Sequence, residues 1–155
     1  MKSWGEFTII APDLALAGKR LLFPSQAGIG HAFLATIRKD GAPRLHPISL
    51  VGWENHLYVF IPQSSPKCAD LIRDGRFALQ AFPPPDNSAG EEFYLSGVAV
   101  AIQDPVFSQS LIAEAGIRVD ENERLFELFL ERVMYTKLID RNTESERPWH
   151  QIWHT

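Results

Sequence analysis

The chain has 155 residues, of which 45% are hydrophobic and 22% are charged. This length is enough for one ordinary domain with its own core, and the composition is that of a folded globular protein rather than a disordered one. Lys and Arg number 15 and Asp and Glu number 19, which gives a formal net charge of −4. A general nucleic-acid binder, which needs a basic face, is therefore not expected.

The cysteine content and the terminal sequences exclude several further kinds of site and of protein. A single cysteine, Cys68, rules out an intrachain disulfide and any site built from several thiolates. Glu6 lies where a signal peptide would need its apolar stretch, and no run of about 18 apolar residues occurs. His150 and His154 have a spacing of i, i+4 but no acidic neighbour, so no metal site is expected. We expect a cytoplasmic protein that contacts no membrane.

The first elements in chain order are two helices and three strands. Ser3 and Glu6 have the spacing of a capping box for a short helix, and Pro12 can begin a second helix. Residues 31–38, 43–51 and 57–61 are rich in aromatic and β-branched side chains, which is typical of strands. Asp40-Gly41 and Glu54-Asn55 are tight-turn sequences, so the three strands are predicted to be antiparallel neighbours.

The second half of the chain alternates between helices and strands. Ser65-Pro66 can begin a helix that ends at Asp74-Gly75, and Asp104-Pro105 can begin another that ends at Gly116. Residues 76–82 and 92–102 are predicted strands, with Gly97 at a bulge or a close backbone approach. The segment 83–87 is predicted to be an exposed proline-rich loop. Residues 123–135 are ambiguous, because the apolar positions 125, 128 and 129 suit a helix while 126, 128 and 130 suit a strand, and their Glu, Leu and Arg content favours a helix by propensity. The tail at 147–154 is expected to dock against the domain.

One set of side chains points to a phosphate. If the second and third strands pair, Arg44 comes close to the helix that begins after Ser64 and Ser65 and carries Lys67. Two cations, two hydroxyls and the free N–H groups of a helix N-terminus suit a phosphate monoester. The alternative is that Arg44 and Lys67 are solvated surface charges.

The order and spacing of several segments resemble the pyridoxamine-phosphate-oxidase-like, FMN-binding split-barrel family. The matching segments are 33–48, 57–61, 65–67 with 70–71, 74–76 and 95–99. The resemblance implies a mainly β domain with flanking helices, built on a six-stranded antiparallel split β-barrel. It divides the chain into an N-terminal helical segment (1–30), a barrel with inserted helices (31–138) and a C-terminal tail (139–155). It also implies that the segment near 125–135 is the closing strand rather than a helix.

The resemblance further implies a homodimer that holds FMN in a groove between the two subunits. The cofactor phosphate would be held by Arg44, Ser65 and Lys67, with Ser64 beside them. The flavin ring would be flanked by the backbone of the second and third strands, namely Leu45, His46, Pro47, Phe60 and Ile61.

Three departures from the true oxidases matter for the substrate. Ser49 stands where those oxidases have a Lys that grips the substrate phosphate. Arg147 and His150 do not have the spacing of the oxidases' Arg-x-His pair, and Glu92 replaces a flavin-contacting Gln. We therefore do not expect the chain to oxidise pyridoxamine phosphate.

The expected activity is a flavin-dependent oxidation or reduction of an unknown small molecule. His46 is the candidate general acid or base, because the unperturbed pKa of histidine is near neutrality. Trp149 or Trp153 could cover the flavin ring by stacking, or could pack against their own barrel. The alternatives are a module that stores or senses flavin or haem without catalysis, and a reductase that uses a deazaflavin.

Overall fold

The structure, a computed structural model, describes residues 1–25, 27–86 and 89–155. The described residues form four helices and seven strands in one domain. The helices are α1 (Trp4–Ile10), α2 (Pro12–Leu22), α3 (Pro66–Arg73) and α4 (Pro105–Ala115). The strands are β1 (Ile29–Ile37), β2 (Pro43–Trp53), β3 (His56–Pro62), β4 (Arg76–Ala81), β5 (Glu92–Ile102), β6 (Glu123–Ile139) and β7 (Arg147–His154).

The helix ends follow from the local sequence. The Ser3 hydroxyl accepts from the N–H of Glu6 at 3.2 Å, and the Glu6 carboxylate accepts from the N–H of Ser3 at 2.8 Å. The Asp104 carboxylate accepts from two N–H groups in the first turn of α4, and the helix ends at Gly116 with a φ of 64°. The capping predictions for α1 and α4 are confirmed, because polar caps satisfy N–H groups that the helix leaves without partners.

Six of the strands close into an antiparallel barrel. Their order is β3-β2-β1-β4-β5-β6, and pairing of β3 with β6 closes the ring. β7 pairs with the C-terminal half of β6 and extends the sheet beyond the barrel. The predicted six-stranded barrel is confirmed, and the tail that was expected to dock does so as a seventh strand.

The segment 123–135 is a strand, as the family resemblance implied and against its helix propensity. Phe126, Leu128 and Leu130 alternate along β6 and are fully buried. The same strand pairs with β5 from Leu125 to Thr136 and with β3 from Glu123 to Glu127. Alternating burial and two strand partners outweigh a weak local preference for helix.

Gly97 lies opposite a bulge in the neighbouring strand β6, at a close backbone approach, as its sequence position predicted. The register with β6 shifts between Ser96 and Gly97, so Glu131 has no partner residue on β5. A Cβ atom at Gly97 would lie 1.9 Å from the carbonyl oxygen of Phe129, so no larger side chain fits without backbone movement.

The barrel is split between β2 and β3. These two strands are paired at only three positions, namely Val51 with Tyr58, Gly52 with Leu57 and Trp53 with His56. Within the described ranges, no strand lies along the other edge of β2 from residue 43 to residue 50. We call this segment the open edge of β2. It leaves backbone N–H and C=O groups free to bind another molecule.

The core fills the barrel and continues under the N-terminal helices. Phe7 of α1, Phe93 of β5 and Phe126 of β6 are all fully buried in one cluster. The predicted loop at 83–87 is exposed at Pro83, and its last residue, Asn87, lies outside the described residues. No helix in the described part of the chain is long and apolar enough to cross a membrane.

Substitution of Gly97 by Ala should destabilise the protein by about 1–3 kcal/mol, because the new methyl group overpacks the bulge against the Phe129 carbonyl. Urea unfolding, with the midpoint compared at a constant m-value, measures the loss. The neighbouring substitution Ser96→Ala is the control and should cost less than about 0.5 kcal/mol. Equal midpoints for Gly97→Ala and the parent would contradict the bulge geometry.

Candidate functional site

The candidate site is centred on an ion pair between β2 and α3. The Arg44 side chain donates from Nε to Oδ2 of Asp70 at 2.7 Å. The Asp70 side chain is 4% exposed and that of Arg44 is 26% exposed. The hydrogen bond uses Nε, so the terminal nitrogens of the guanidinium can bind another group from the solvent side.

Two further donors satisfy the Asp70 carboxylate. The buried Thr36 hydroxyl of β1 donates to Oδ2 at 3.0 Å, and Arg73 of α3 donates to Oδ1 at 3.1 Å. Arg73 also donates to the carbonyl oxygen of Ile37. Burial acts to raise the pKa of Asp70, but the hydrogen bonds from Arg44, Thr36 and Arg73 outweigh it, so the pKa lies below its ordinary value. The carboxylate is therefore ionised at neutral pH.

A cleft of about 420 Å³ opens beside this ion pair. It is lined by Arg38, Lys39, Asp40, Arg44, Pro66, Ala69 and Asp70. Arg38 pairs with Asp40 at 3.0 Å, while Lys39 has no ion-pair partner among the described residues. The cleft therefore has three basic side chains on its β1–β2 side and the first turn of α3 as its opposite wall.

Lys67 and the two serines lie at the start of α3, next to this wall. Ser64 is exposed, and Ser65 and Lys67 are half-buried. None of the three lines the cleft itself, although Pro66 between them does. Lys67 makes no ion pair with any described residue, so its charge is available to a ligand. The structure thus brings Arg44 to the predicted helix, with Arg38 and Lys39 as the additional cations in the cleft.

Ser65, the N-cap residue of α3, already accepts hydrogen bonds from N–H groups that the sequence analysis expected to be free for a phosphate. The Ser65 hydroxyl accepts from the N–H of Cys68 at 3.3 Å, and the Ser65 carbonyl oxygen accepts from the N–H of Ala69. Pro66 has no N–H, so Lys67 supplies the one first-turn N–H without an acceptor in the described parts of the chain. The buried Cys68 thiol has a pKa raised by burial, which agrees with an inert thiol.

The residues expected to flank a flavin ring lie along the open edge of β2 and on β3. Leu45 and Pro47 are exposed on the outer face of β2, and His46 is half-buried on its inner face. No described side chain hydrogen-bonds to the His46 ring. Phe60 is half-buried and packs in a second cluster beneath α4, whereas Ile61 is fully buried, so neither its side chain nor its backbone is exposed in the single chain.

Glu92, Trp149 and Trp153 lie away from Arg44 within one chain. Glu92 is exposed at the start of β5, which is separated from β2 by β1 and β4. Trp149 is 39% exposed on β7, with the Lys137 ammonium 5.2 Å from its ring centre. Trp153 packs against Phe7 with 5.1 Å between ring centres, so it serves its own core.

An exposed apolar row crosses the outer face of the sheet. Register partners that follow one another from strand to strand share a face, and they place these residues side by side: Pro47, Phe33, Gln80, Tyr94, Met134 and Ile152. Phe82 extends the row, with its ring 4.4 Å from that of Phe33. Leu45 is 64% exposed, Ile152 46% and Phe82 37%. We call the six register partners, together with Leu45 and Phe82, the outer apolar row.

A second, larger groove of about 870 Å³ lies between the N-terminal helices and the β2–β3 turn. Two of its basic groups already have carboxylate partners, because Arg20 pairs with Glu91 and His56 pairs with Glu127 at 2.5 Å. The groove therefore suits a phosphate less well than the cleft at Arg44 does.

Three residues of the site had no role in the sequence analysis. Arg38 and Lys39 precede the Asp40-Gly41 turn, and a tight hairpin places them beside Arg44 on the next strand. That adjacency was a readable signal. Asp70 had no such signal, because its burial against β1 and β2 depends on how α3 packs.

Comparisons with known proteins agree on the fold. No protein-family model matches the sequence, and no curated protein sequence matches it. A pyridoxamine 5'-phosphate oxidase-related, FMN-binding protein from Nostoc punctiforme superposes with a TM-score of 0.60 at 15% identity, over 94% of this chain and 96% of that one. A heme binding protein from Mycobacterium smegmatis gives 0.59 at 15% identity, over 87% of this chain and 57% of that one. An F420 reductase gives 0.54 at 17% identity, over 72% and 91%.

The chain therefore has the split-barrel fold of proteins related to pyridoxamine 5'-phosphate oxidase. Solved structures with this fold include proteins described as binding FMN or heme and one described as an F420 reductase. The resemblance found in the sequence is confirmed at the level of the fold.

Substitution of Arg44 by Met should destabilise the protein by about 2–3 kcal/mol at neutral pH, because it removes a donor from a buried carboxylate. The pKa of Asp70 is lowered in the folded protein, so its stabilising contribution is present above the unfolded value of about 4 and is lost as the pH falls through the lower folded value. The difference in free energy of unfolding between variant and parent should therefore shrink in acid. Urea unfolding over a range of pH measures it.

The matched control is Arg38→Met. Arg38 pairs with the exposed Asp40, so its loss should cost less than about 1 kcal/mol. A difference between Arg44→Met and the parent that stays constant down to the lowest pH would show that Asp70 does not depend on Arg44.

Proposed function

We propose that this protein is an FMN-binding flavoprotein that works as a homodimer and catalyses oxidation or reduction of a small molecule. The observation that carries the proposal is the cleft at Arg44, where a guanidinium fixed by a buried carboxylate lies beside the first turn of α3. The similarity to an FMN-binding protein over nearly the whole of both chains supports it.

The donor set of the cleft fits a phosphate monoester. Arg44 can bind phosphate oxygens through its terminal nitrogens, and Lys39, which has no ion-pair partner in the described part of the chain, lines the same cleft. Lys67 and the Ser65 hydroxyl can reach an anion at the start of α3, where the helix dipole also favours negative charge. A planar guanidinium held in place by Asp70 suits a dianion whose position must be fixed.

The open edge of β2 supports a planar ring next to the phosphate. Its free backbone groups can donate to and accept from the polar edge of a flavin, in the way that another strand would. Leu45 and Pro47 offer apolar contacts on the outer face at the same place. The ring would thus lie against Leu45, His46 and Pro47, with the half-buried Phe60 across the split. The fully buried Ile61 is left out of the proposed contact.

The outer apolar row supports the dimer. Exposed aromatic and aliphatic side chains that lie side by side across several strands are typical of a surface that another protein covers. A second copy of the chain placed there would enclose the open edge of β2. Glu92 and Trp149, which lie away from Arg44 in their own chain, would then come to the cofactor of the other subunit.

FMN, when bound, supplies the electron-transfer chemistry, and the residues of this chain bind it, orient it and exclude water. The half-buried His46 is the candidate to hold or move a proton beside the ring. Ser49 on β2 and Glu92 on β5 offer no cation for a second phosphate. The substrate is therefore proposed to be a small molecule without a phosphate group.

Absorbance and mass spectrometry of freshly purified protein test the cofactor. Flavin absorption bands with a released mass equal to FMN are expected, together with bleaching by NADH or NADPH if the protein is an enzyme. A flavin spectrum that no reductant changes would indicate storage. A haem absorption band would indicate a haem-binding protein instead, and a released mass equal to a deazaflavin would indicate a deazaflavin-dependent reductase.

Substitution of Lys67 by Ala should weaken FMN binding by about 1.5–3 kcal/mol, because a charge-assisted hydrogen bond to the phosphate is lost. Flavin fluorescence titration of the apoprotein measures the affinity. Lys2→Ala is the matched control, since Lys2 precedes α1, pairs with Glu6 and should have no effect on FMN affinity. Equal FMN affinities for Lys67→Ala and the parent would remove Lys67 from the phosphate site.

Substitution of Phe82 by Arg should convert a micromolar dimer into monomers and reduce FMN retention, because a charge is placed in the outer apolar row. Sedimentation velocity measures the assembly. Val106→Arg is the control on α4, where the side chain is 74% exposed and distant from the row. A parent protein that sediments as a monomer and still retains FMN would contradict the dimeric site.

A further inference from the structure

We propose that Asp70 is a positioning residue of the cofactor site, which holds the Arg44 guanidinium in the orientation that binds phosphate. This inference rests on the proposed function. It assigns a role to a side chain that would not itself contact the cofactor, because both of its oxygens are already used by residues of the chain.

The Asp70 carboxylate connects two strands and a helix. Asp70 joins Thr36 of β1, Arg44 of β2 and Arg73 of its own helix. The helix that carries Asp70 is also the one that begins with Ser65 and Lys67. One buried group therefore fixes the distance between the strand and the helix that together form the phosphate site.

The hydrogen bond to Asp70 also restricts the conformation of the Arg44 side chain. An arginine side chain has several rotatable bonds, and holding it in one conformation has an entropic cost. The 2.7 Å bond from Nε anchors the guanidinium of this cleft-lining side chain and leaves its terminal nitrogens without an acceptor among the described residues. The cost of ordering Arg44 is then met on folding rather than when the cofactor binds.

The net charge around Asp70 allows positioning of Arg44 to be distinguished from a simple Coulomb effect. Two arginines surround one carboxylate, so the Asp70 cluster carries a net charge of about +1. Replacing Asp70 by Asn would make the cleft more positive and, by Coulomb attraction alone, would strengthen phosphate binding. Positioning predicts the opposite sign, because an amide accepts hydrogen bonds at one of its two ends only.

The experiment compares FMN with riboflavin, which lacks the phosphate, in fluorescence titrations of the parent and of Asp70→Asn. We expect FMN binding to weaken by about tenfold to a hundredfold in the variant, the range of one charge-assisted hydrogen bond, and riboflavin binding to stay unchanged. Asp70→Asn should weaken FMN binding no further in an Arg44→Met background, because both changes act on the same contact.

Several outcomes would overturn the proposal. Equal or tighter FMN binding by Asp70→Asn would show that the carboxylate affects only the charge of the cleft. An equal loss for FMN and riboflavin would show a general structural role. A parent that does not prefer FMN to riboflavin would contradict the proposed phosphate site itself, and the role of Asp70 would fall with it.

Thr36→Val provides a second test that does not remove the buried charge. Valine has nearly the shape of threonine and deletes one donor to Asp70 Oδ2, the oxygen that also accepts from Arg44. A smaller loss of FMN affinity in the same direction, again without an effect on riboflavin, is expected. In the parent, the Arg44 Nε proton should exchange slowly with solvent by NMR, and fast exchange there would contradict the anchoring bond.

Discussion

The buried carboxylate of Asp70 is the interaction on which the site depends. A nearly inaccessible negative charge is costly unless it is paired and hydrogen-bonded, and here donors from β1, β2 and α3 meet that requirement. The same contacts determine where α3 lies on the barrel. The position of Arg44 relative to the first turn of that helix is therefore a consequence of satisfying one charge.

The split between β2 and β3 explains why the cleft has a neighbouring surface for a planar ligand. A fully paired strand would have no free backbone groups, but β2 pairs with β3 only from Val51 onward and leaves its edge open before that residue. The barrel remains closed because β3 pairs with β6 instead. The proposed phosphate site at Arg44 and the proposed ring site at Leu45 to Pro47 are therefore adjacent parts of one strand.

Local signals predicted most of the elements, and long-range packing determined the rest. The Ser3 and Asp104 caps and the Gly97 bulge were readable because each depends on neighbouring residues. β6 needed the family resemblance, since its strand form depends on pairing with β3 and β5. Arg44 was expected near α3 through the pairing of β2 with β3, but that pairing covers only residues 51–53 of β2, and Arg44 instead contacts α3 through Asp70. The burial of Asp70 could not be predicted, because no local pattern shows which carboxylate faces distant strands.

A crystal structure of the protein with bound FMN tests the central claim most directly. The cofactor phosphate should lie within hydrogen-bond distance of the terminal nitrogens of Arg44, at the start of α3, with the ring along the open edge of β2. A phosphate bound instead in the groove between the N-terminal helices and the β2–β3 turn, with Arg44 in contact with Asp70 and water alone, would contradict the account.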